Sequence, residues 1–560
     1  MTIPVCWLNF NPDAPNRGYW DQALLEDLFV GRLWASPRGL AFESFDAIPA
    51  GTEVAVVVVP GRQNAAHVAE VNAAIGSLSG VLLIISGDEE GSFPISGVVH
   101  PNMRVWLMTP RPGAKTDYYL GSGYPPGTPD AVRDAHKTLA WSFSGQVTHL
   151  RRSACVEALS GREDGVLNRS EGFTLGLPQE EYWQLLASSK VAPCPGGPVT
   201  PDSFRLYEAL EAGCVPLVDG GSGRGLEPDY WARVFGQDPP FPVVLDWSSA
   251  SLTIDDILAA WPARAARALA FWVEYKRTLA YRLDDDLLAL GVERQTDPRV
   301  TVLVPTSPIP SHPSTSILEE TVASIRAQLP DSDIIVMADG IRAEQEDRRL
   351  DYDEYLHRVA RLCAYHWTNV TLHIADTHLH QGLLTRRAMR KVHTPLILFV
   401  EHDTPLVGEI DWAGCSKAVS SGRANVIRFH HEASVLSDHR HLMLDGSPQP
   451  VCDVPLLRTV QWSQRPHLAS AEFYRWLLDT YFGEESRTMI EDLVYGVLDT
   501  HWREQGEEGW SVFKLWMYAP PGDMKRSTHT DGRGGEPKYS MLFAYDGDVP
   551  TWAPHPGLRA

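Results

Sequence analysis

Thr394-Pro395-Leu396-Ile397-Leu398-Phe399-Val400-Glu401-His402-Asp403 is an apolar run that stops abruptly on acids. It has strand length, and continuous apolarity suits a parallel strand covered on both faces. In an open α/β sheet, ligands sit outside the carboxyl ends of the strands. Two acids flanking one residue at such an end can hold a hard divalent cation that bridges phosphate oxygens. An ordinary strand exit with solvated acids would carry the same residues, so the surrounding sequence decides.

Upstream, Thr301-Val302-Leu303-Val304-Pro305 is a short buried strand. Ser316-Ile317-Leu318-Glu319 matches a capping box, and Ile317, Val322, Ile325 and Leu329 give the helix that follows one apolar face. Asp333–Ala338 is the next strand, ending at Asp339-Gly340. Strand–helix–strand opening a new segment means α/β. The break near residues 290–298 therefore divides the chain into 1–294 and 295–560.

The first part alternates in the same way. Val5–Phe10, Val54–Val59, Val81–Ser86 and Val105–Met108 are strand candidates, and Pro110–Pro129 is a Pro/Gly-rich connection. A second series follows: a strand at Trp141–Ser144, a helix near His149–Leu159, a helix at Glu181–Ser188 and a strand at Lys190–Cys194. It ends with a helix at Ser203–Ala212, strands at Val215–Val218 and Pro242–Leu245, and a long helical stretch at Leu258–Leu288. The expected fold class is α/β, with two Rossmann-like lobes at about 1–125 and 126–294, then a third nucleotide-binding domain at 295–560.

Composition narrows the function classes. A chain of 560 residues exceeds one core, and 44% hydrophobic with 21% charged residues is ordinary for a globular protein. No apolar run approaches the ~20 residues of a membrane span, and the N-terminus reads as no signal peptide. Seven scattered cysteines without CxxC spacing fit reduced thiols, so a cytoplasmic location is expected. The net charge of -22 disfavours a chain built to coat nucleic acid, although a sum conceals local patches. A diphosphate site must then make its own positive field from Arg, Lys, helix N-termini or a metal. His430, His431, His439 and His441 lack the Cys or acid that would complete a zinc spacing. Trp462, Trp476, Trp510 and Trp516 could stack on a sugar, although tryptophan is usually core.

Val302–Thr306, Ile335–Gly340, Gln381–Met389 and Glu401–Asp403 occur in the order of the GT-A nucleotide-sugar glycosyltransferases, which the chain resembles from Val300 to Asp403 and more loosely to His529. Family-two-like enzymes are the nearest in pattern. The resemblance implies that Pro305 and Thr306 meet the nucleoside and Asp339 the base, with Gly382 and Arg386 in the donor segment. Glu401 and Asp403 stand where that family has its DxD metal motif, with Glu in place of the first Asp. Met489-Ile490-Glu491-Asp492-Leu493 opens a helical run with paired acids. A carboxylate within reach of the acceptor hydroxyl is the general base in similar inverting enzymes, and this role is expected of Asp492, with Glu491 as the alternative. Lys525-Arg526-Ser527-Thr528-His529-Thr530-Asp531-Gly532 looks like the late loop where His529 completes the metal site and Lys525 and Arg526 meet the diphosphate.

Pro201-Asp202-Ser203-Phe204-Arg205-Leu206-Tyr207-Glu208 precedes Ala212-Gly213-Cys214-Val215-Pro216. Ser203 can cap a helix whose N-terminus receives a diphosphate, Arg205 adds a charged fork, and Glu208 can accept from ribose hydroxyls. With Ser188–Pro195, which contains Lys190, and Phe143-Ser144-Gly145 before Arg151-Arg152, this segment resembles exostosin-like glycosyltransferases of the GT-B fold over Trp141–Val218. Together the two resemblances imply a hexosyltransferase-type enzyme, bifunctional or active only in its GT-A half. Its donor would be a nucleotide sugar, UDP-linked, with Mn2+ or Mg2+, and its acceptor a glycan or other hydroxyl compound. A transferase acting on modified DNA bases, and a carbohydrate- or nucleotide-binding protein without catalysis, are the competing readings. In residues 1–140, Asp13, Asp21, His67 and Asp88 are base candidates by residue type alone.

Overall fold

The computed structural model describes residues 3–8, 22–30, 40–44, 48–60, 67–111, 113–124, 132, 135–172, 175–292 and 300–530. The chain divides into two compact units, Met1–Thr296 with Leu356–Asn369, and Asp297–Tyr355 with Val370–Ala560. The junction at 294/295, together with Asp13, Asp21, Asp531 and Gly532, lies outside the described residues.

The first unit contains two parallel sheets. β1 (Ile3–Trp7), β2 (Leu40–Ser44), β3 (Val54–Pro60), β4 (Gly80–Ser86), β5 (Met103–Leu107) and β6 (Tyr118–Tyr119) join in the order β2-β1-β3-β4-β5-β6, every pair parallel. β3 and β4 are apolar at almost every position because both faces are covered. Val54, Val56, Val58, Leu82 and Ile84 enter one core cluster, while Ala55, Val57, Val59, Leu83 and Ile85 enter another. The second sheet takes β7 (Leu139–Gln146), β8 (Gly165–Ser170), β9 (Ser189–Cys194), β10 (Val215–Asp219) and, after the hairpin β11 (Gly221–Ser222) and β12 (Gly225–Leu226), β13 (Val243–Val244). Its order is β13-β10-β9-β7-β8, again wholly parallel. β8 carries no continuous apolar signal because it is an edge strand with no buried residue, five half-buried and Arg169 exposed. The long helix expected at Leu258–Leu288 is Trp261–Ala289, begun with Pro262 in its first turn, and a separate helix, Ala250–Ala259, precedes it. Leu356–Asn369 joins this unit through Tyr365, whose hydroxyl donates to the Glu211 carbonyl (3.0 Å), and Arg361, whose Nη1 donates to the Ala135 carbonyl (3.2 Å).

The second unit is built on one nine-stranded mixed sheet. Its strands are β14 (Val300–Thr306), β15 (Asp333–Ala338), β16 (Val370–Ile374), β17 (Leu396–Phe399), β18 (Val426–Arg428), β19 (Gln449–Val451), β20 (Val454–Arg458), β21 (His467–Ser470) and β22 (Leu515–Tyr518). The order is β16-β15-β14-β17-β21-β18-β22-β20-β19. β16, β15, β14 and β17 are mutually parallel, and β21 turns the sheet antiparallel. Three central parallel strands therefore release their chains along one edge, at Thr306, Asp339 and Val400. The expected capping box does not form: Thr315 is the N-cap residue of the Ser316–Gln328 helix, its side chain caps no backbone N–H, and its hydroxyl donates instead to the Glu319 carboxylate at 2.5 Å. Among the described residues, no helix is long and apolar enough to cross a membrane.

Candidate nucleotide and cation site

The edge where β14, β15 and β17 end opens onto a cavity of about 180 Å³ lined by Pro305, Thr306, Asp339, Arg342, His380, Gln381, Glu401, His402 and Asp403, among others. Pro305 and Thr306 are fixed from behind, the Pro305 carbonyl by His402 Nδ1 (3.2 Å) and the Thr306 hydroxyl by the Tyr355 hydroxyl (3.0 Å). Asp339 lines the cavity but is already saturated. It accepts from the backbone N–H groups of Gly340 (2.8 Å), Leu379 (2.7 Å) and His380 (3.0 Å), and pairs with His378 Nδ1 at 2.8 Å. Its carboxylate therefore shapes the 378–380 turn, where His380 has φ +63°, and contact with a base would displace one of these donors.

Glu401 is held from the neighbouring helix. Gln381 Nε2 donates to it at 2.9 Å, while Gln381 Oε1 accepts from Ile490 N at 3.1 Å, tying the acid to the start of the Ile490–Gln505 helix. Burial, and then the charges of Asp403 and Glu491, push the Glu401 carboxyl up to about 8. Glu491 is itself pushed up by burial, and its Oε2 accepts from Gln464 N at 3.0 Å. Asp492 is exposed and, among the described residues, has a 3.5 Å contact from the Thr488 hydroxyl as its one side-chain hydrogen bond.

The late loop lies directly along the segment after the acids. Thr530 N donates to the Asp403 carbonyl (2.7 Å), Thr528 N to Pro405 (3.0 Å), and Val407 N to Arg526 (3.0 Å). That pairing brings His529 Nε2 to 3.4 Å from Asp403 Oδ2. Among the described residues no three His, Cys, Asp or Glu side chains enclose a point for an ion. The chain thus offers Asp403 and His529 as a ready pair, with Glu401 set back on Gln381. A carboxylate and an imidazole suit a divalent cation that takes its remaining ligands from phosphate oxygens and water.

Some expected residues stand elsewhere. Gly382 is packed against Phe482, where an added Cβ would come within 2.5 Å of the ring, so it sets helix spacing rather than lining the cavity. Arg386 pairs with Asp479 (2.8 Å) and Glu484 (3.1 Å) and lines a different cleft. Arg526 Nη1 donates to the carbonyls of Asp523 (2.8 Å) and Lys525 (2.6 Å), and Lys525 is exposed. Arg465 was not foreseen. It donates to His430 Nδ1 (2.5 Å) and Glu432 (2.7 Å), and its charge reaches Glu491 and His431. The histidines are likewise engaged, His431 with the Ser527 hydroxyl (2.6 Å) and His439 with Gln461 (3.4 Å). Trp462, Trp510 and Trp516 are core, and Trp476 is exposed.

In the first unit the C-terminal ends of β7 and β9 meet two helix N-termini, Leu150–Leu159 and Phe204–Glu211. Ser203 caps the latter, its hydroxyl accepting from Arg205 N at 3.3 Å. Arg205 is buried, with Nη2 on the Ser144 carbonyl (2.9 Å), while its Nε and Nη1 have no partner among the described residues. Arg152 stands beside it, bonded to the carbonyls of Gly196 (3.2 Å) and Gln146 (3.1 Å) and pushed down to about 10 by burial and then by Arg205. Unsatisfied buried guanidinium nitrogens are costly, and an anion here would satisfy them. Arg151 is locked to the buried Asp219, which also accepts from Gly196 N at 3.3 Å. Lys190 sits at the start of β9, the opposite end from the ligand edge, over the Trp261 ring. Glu208 is buried and accepts from the Tyr182 hydroxyl (2.7 Å). Asp88 is saturated by Ser92, Phe93 and Arg111 (2.6 Å), and His67 pairs with Glu70 (2.9 Å).

Burial pushes both Asp202 and Glu208 up to about 7 from ordinary values of 3.8 and 4.5. In the folded chain they hold protons that the unfolded chain releases. Their contribution is therefore full below about pH 4 and is lost as pH rises through about 7. The midpoint of thermal unfolding of this unit is expected to fall from pH 5 to pH 8. Asp202→Asn with Glu208→Gln, which fixes the neutral form, should flatten that fall, as differential scanning calorimetry would record.

No protein-family model matches the chain, and no curated protein matches it. Solved structures that it overlaps include S. aureus TarS 1–349 (13% identity, TM-score 0.26, 41% of this chain and 60% of that one). The same protein in complex with UDP-GlcNAc overlaps at 16% identity, TM-score 0.26, 42% of this chain and 60% of that one. GalNAc-T7 with UDP, GalNAc and Mn2+ overlaps at 13% identity, TM-score 0.25, 45% of this chain and 46% of that one. The chain thus spans 46–60% of these structures, and the overlap is too loose to assign residues or activity.

Proposed function

We propose that the protein is a nucleotide-sugar glycosyltransferase with a GT-A-like second unit as its catalytic half and a GT-B-like first unit. The observation that carries this reading is the convergence of three parallel strand ends on one cavity, where the late loop delivers His529 to Asp403. Pro305, Thr306 and the 378–380 turn would bound the nucleoside. A divalent cation, Mn2+ or Mg2+, held by Asp403 and His529 would supply charge stabilisation to the departing diphosphate. Asp492, exposed at the first turn of its helix, would accept the acceptor hydroxyl proton, and the sugar would transfer with inversion. Glu491, anchored by Gln464 N, would instead keep Arg465 and Glu401 in register.

The first unit would hold a second nucleotide diphosphate between Arg205, Arg152 and the two helix N-termini. Its carrying observation is the unpartnered Nε and Nη1 of Arg205. The test is a thermal-shift panel of UDP-sugars with and without Mn2+. A ligand at about 100 times its Kd adds about 2.7 kcal/mol to native stability. A shift that needs Mn2+ supports the second-unit site. A shift that survives without Mn2+, and that disappears in Arg205→Met while the ligand-free protein melts no earlier, supports the first-unit site. If no UDP-sugar shifts the protein under either condition, the donor assignment fails.

A further inference from the structure

A second cleft, of about 490 Å³, lies in the Asp297–Tyr355 and Val370–Ala560 unit. It is lined by Arg386, Arg387, Arg390 and Lys391, with Asp376 and Glu484 as its carboxylates. The same helix, His380–Met389, serves both openings: Leu384 faces the nucleotide cavity and Leu383 faces this cleft. Glu484 is already paired with Arg386. Arg387 and Arg390 are exposed, and among the described residues neither side chain has a hydrogen bond or ion pair. They lie three residues apart at the end of the helix, about 4.5 Å along its axis and facing the same side. One cation at a helix C-terminus answers the dipole. Two adjacent unpaired guanidiniums repel each other, and in a chain of net charge -22 they form a local reversal of sign.

We propose that this cleft binds a phosphodiester-bearing chain, at a site separate from the nucleotide cavity. Guanidinium forks match phosphate oxygens two at a time. The cleft volume equals that of about 16 waters at ~30 Å³ each, more room than one free phosphate fills. The repeating unit of a phosphodiester chain would place successive charges on Arg387 and Arg390 while the rest of the chain occupies the cleft.

The experiment measures labelled oligothymidylate by fluorescence anisotropy against the full chain across a NaCl series, with excess UDP present to fill nucleotide sites. Pyrophosphate binding is followed by calorimetry under the same conditions. Arg387→Ala with Arg390→Ala is expected to weaken oligothymidylate roughly tenfold and to lower the salt slope by about 1.4, at ~0.7 per single-strand phosphate contact. Arg387→Lys with Arg390→Lys should retain the slope and part of the affinity. Neither side chain has a folded-state partner, so unchanged melting accompanies the expected result. Equal oligothymidylate affinity in the wild type and the alanine variant overturns the proposal. So does loss of pyrophosphate binding alone, which would make the cleft a free-anion site.

Discussion

Asp403→Ala is expected to lower sugar transfer, or donor hydrolysis without acceptor, by roughly 10²- to 10³-fold, the scale at which one preorganised electrostatic partner is lost. The reason is positional. Asp403 is the one acid that the late loop brings to a second ligand-type side chain, His529, while Glu401 is engaged by Gln381. A variant lacking this carboxylate keeps the backbone pairing of Thr530 N to the Asp403 carbonyl, since that bond uses the main chain. The fold should therefore survive, and the Mn2+-dependent part of a UDP-sugar thermal shift should vanish with the rate. His529→Ala should act in the same direction with a smaller loss, because the carboxylate carries the formal charge. Wild-type turnover by Asp403→Ala would remove this cavity from the mechanism.

The strands that build the cavity were legible because they are buried on both faces. Val302, Leu303, Val304, Ile335, Val336, Ile397 and Leu398 stand in continuous apolar runs and are fully buried. The second half of that sheet was not legible. β18 through β22 are strands of three to five residues, interrupted by turns such as Cys452-Asp453 at positive φ, and short segments give little periodicity. Side-chain direction was also hidden. Arg151 and Arg152 are adjacent in sequence, yet helix geometry sends one to Asp219 and the other beside Arg205. Pattern alone puts Gln381 in the donor segment. Its link to Glu401 was not legible, because a glutamine in a first helical turn looks like solvent-facing polarity, whereas here it is buried and bridges Glu401 to Ile490. The adjacent Gly382, expected in the same donor segment, is instead required by close packing against Phe482. Membership of Leu356–Asn369 in the first unit depends on contacts far apart in sequence, 154 residues for Tyr365 with Glu211 and 226 for Arg361 with Ala135, which no local pattern announces.

Asp492→Asn is expected to cost about 10²- to 10⁴-fold in kcat if its carboxylate takes the acceptor proton, the range for one general base. Glu491→Gln is the comparison that gives the first number meaning. Glu491 is partly buried, raised by burial and bonded to Gln464 N, so its Oε2 is already engaged. A glutamine retains an acceptor for Gln464 N and removes only the negative charge that reaches Glu401. The change should relax Glu401 toward easier ionisation and leave a modest rate effect, because one source of repulsion is gone. Asp492, by contrast, has free lone pairs toward solvent and a position at which its charge is felt by His380 in the cavity wall. The loss in kcat should therefore be large in Asp492→Asn and small in Glu491→Gln. The opposite pattern, a large loss in Glu491→Gln with Asp492→Asn near wild type, would move the base one residue back. Loss of hydrolysis and transfer together in Asp492→Asn, with the donor thermal shift intact, separates a proton acceptor from a binding residue.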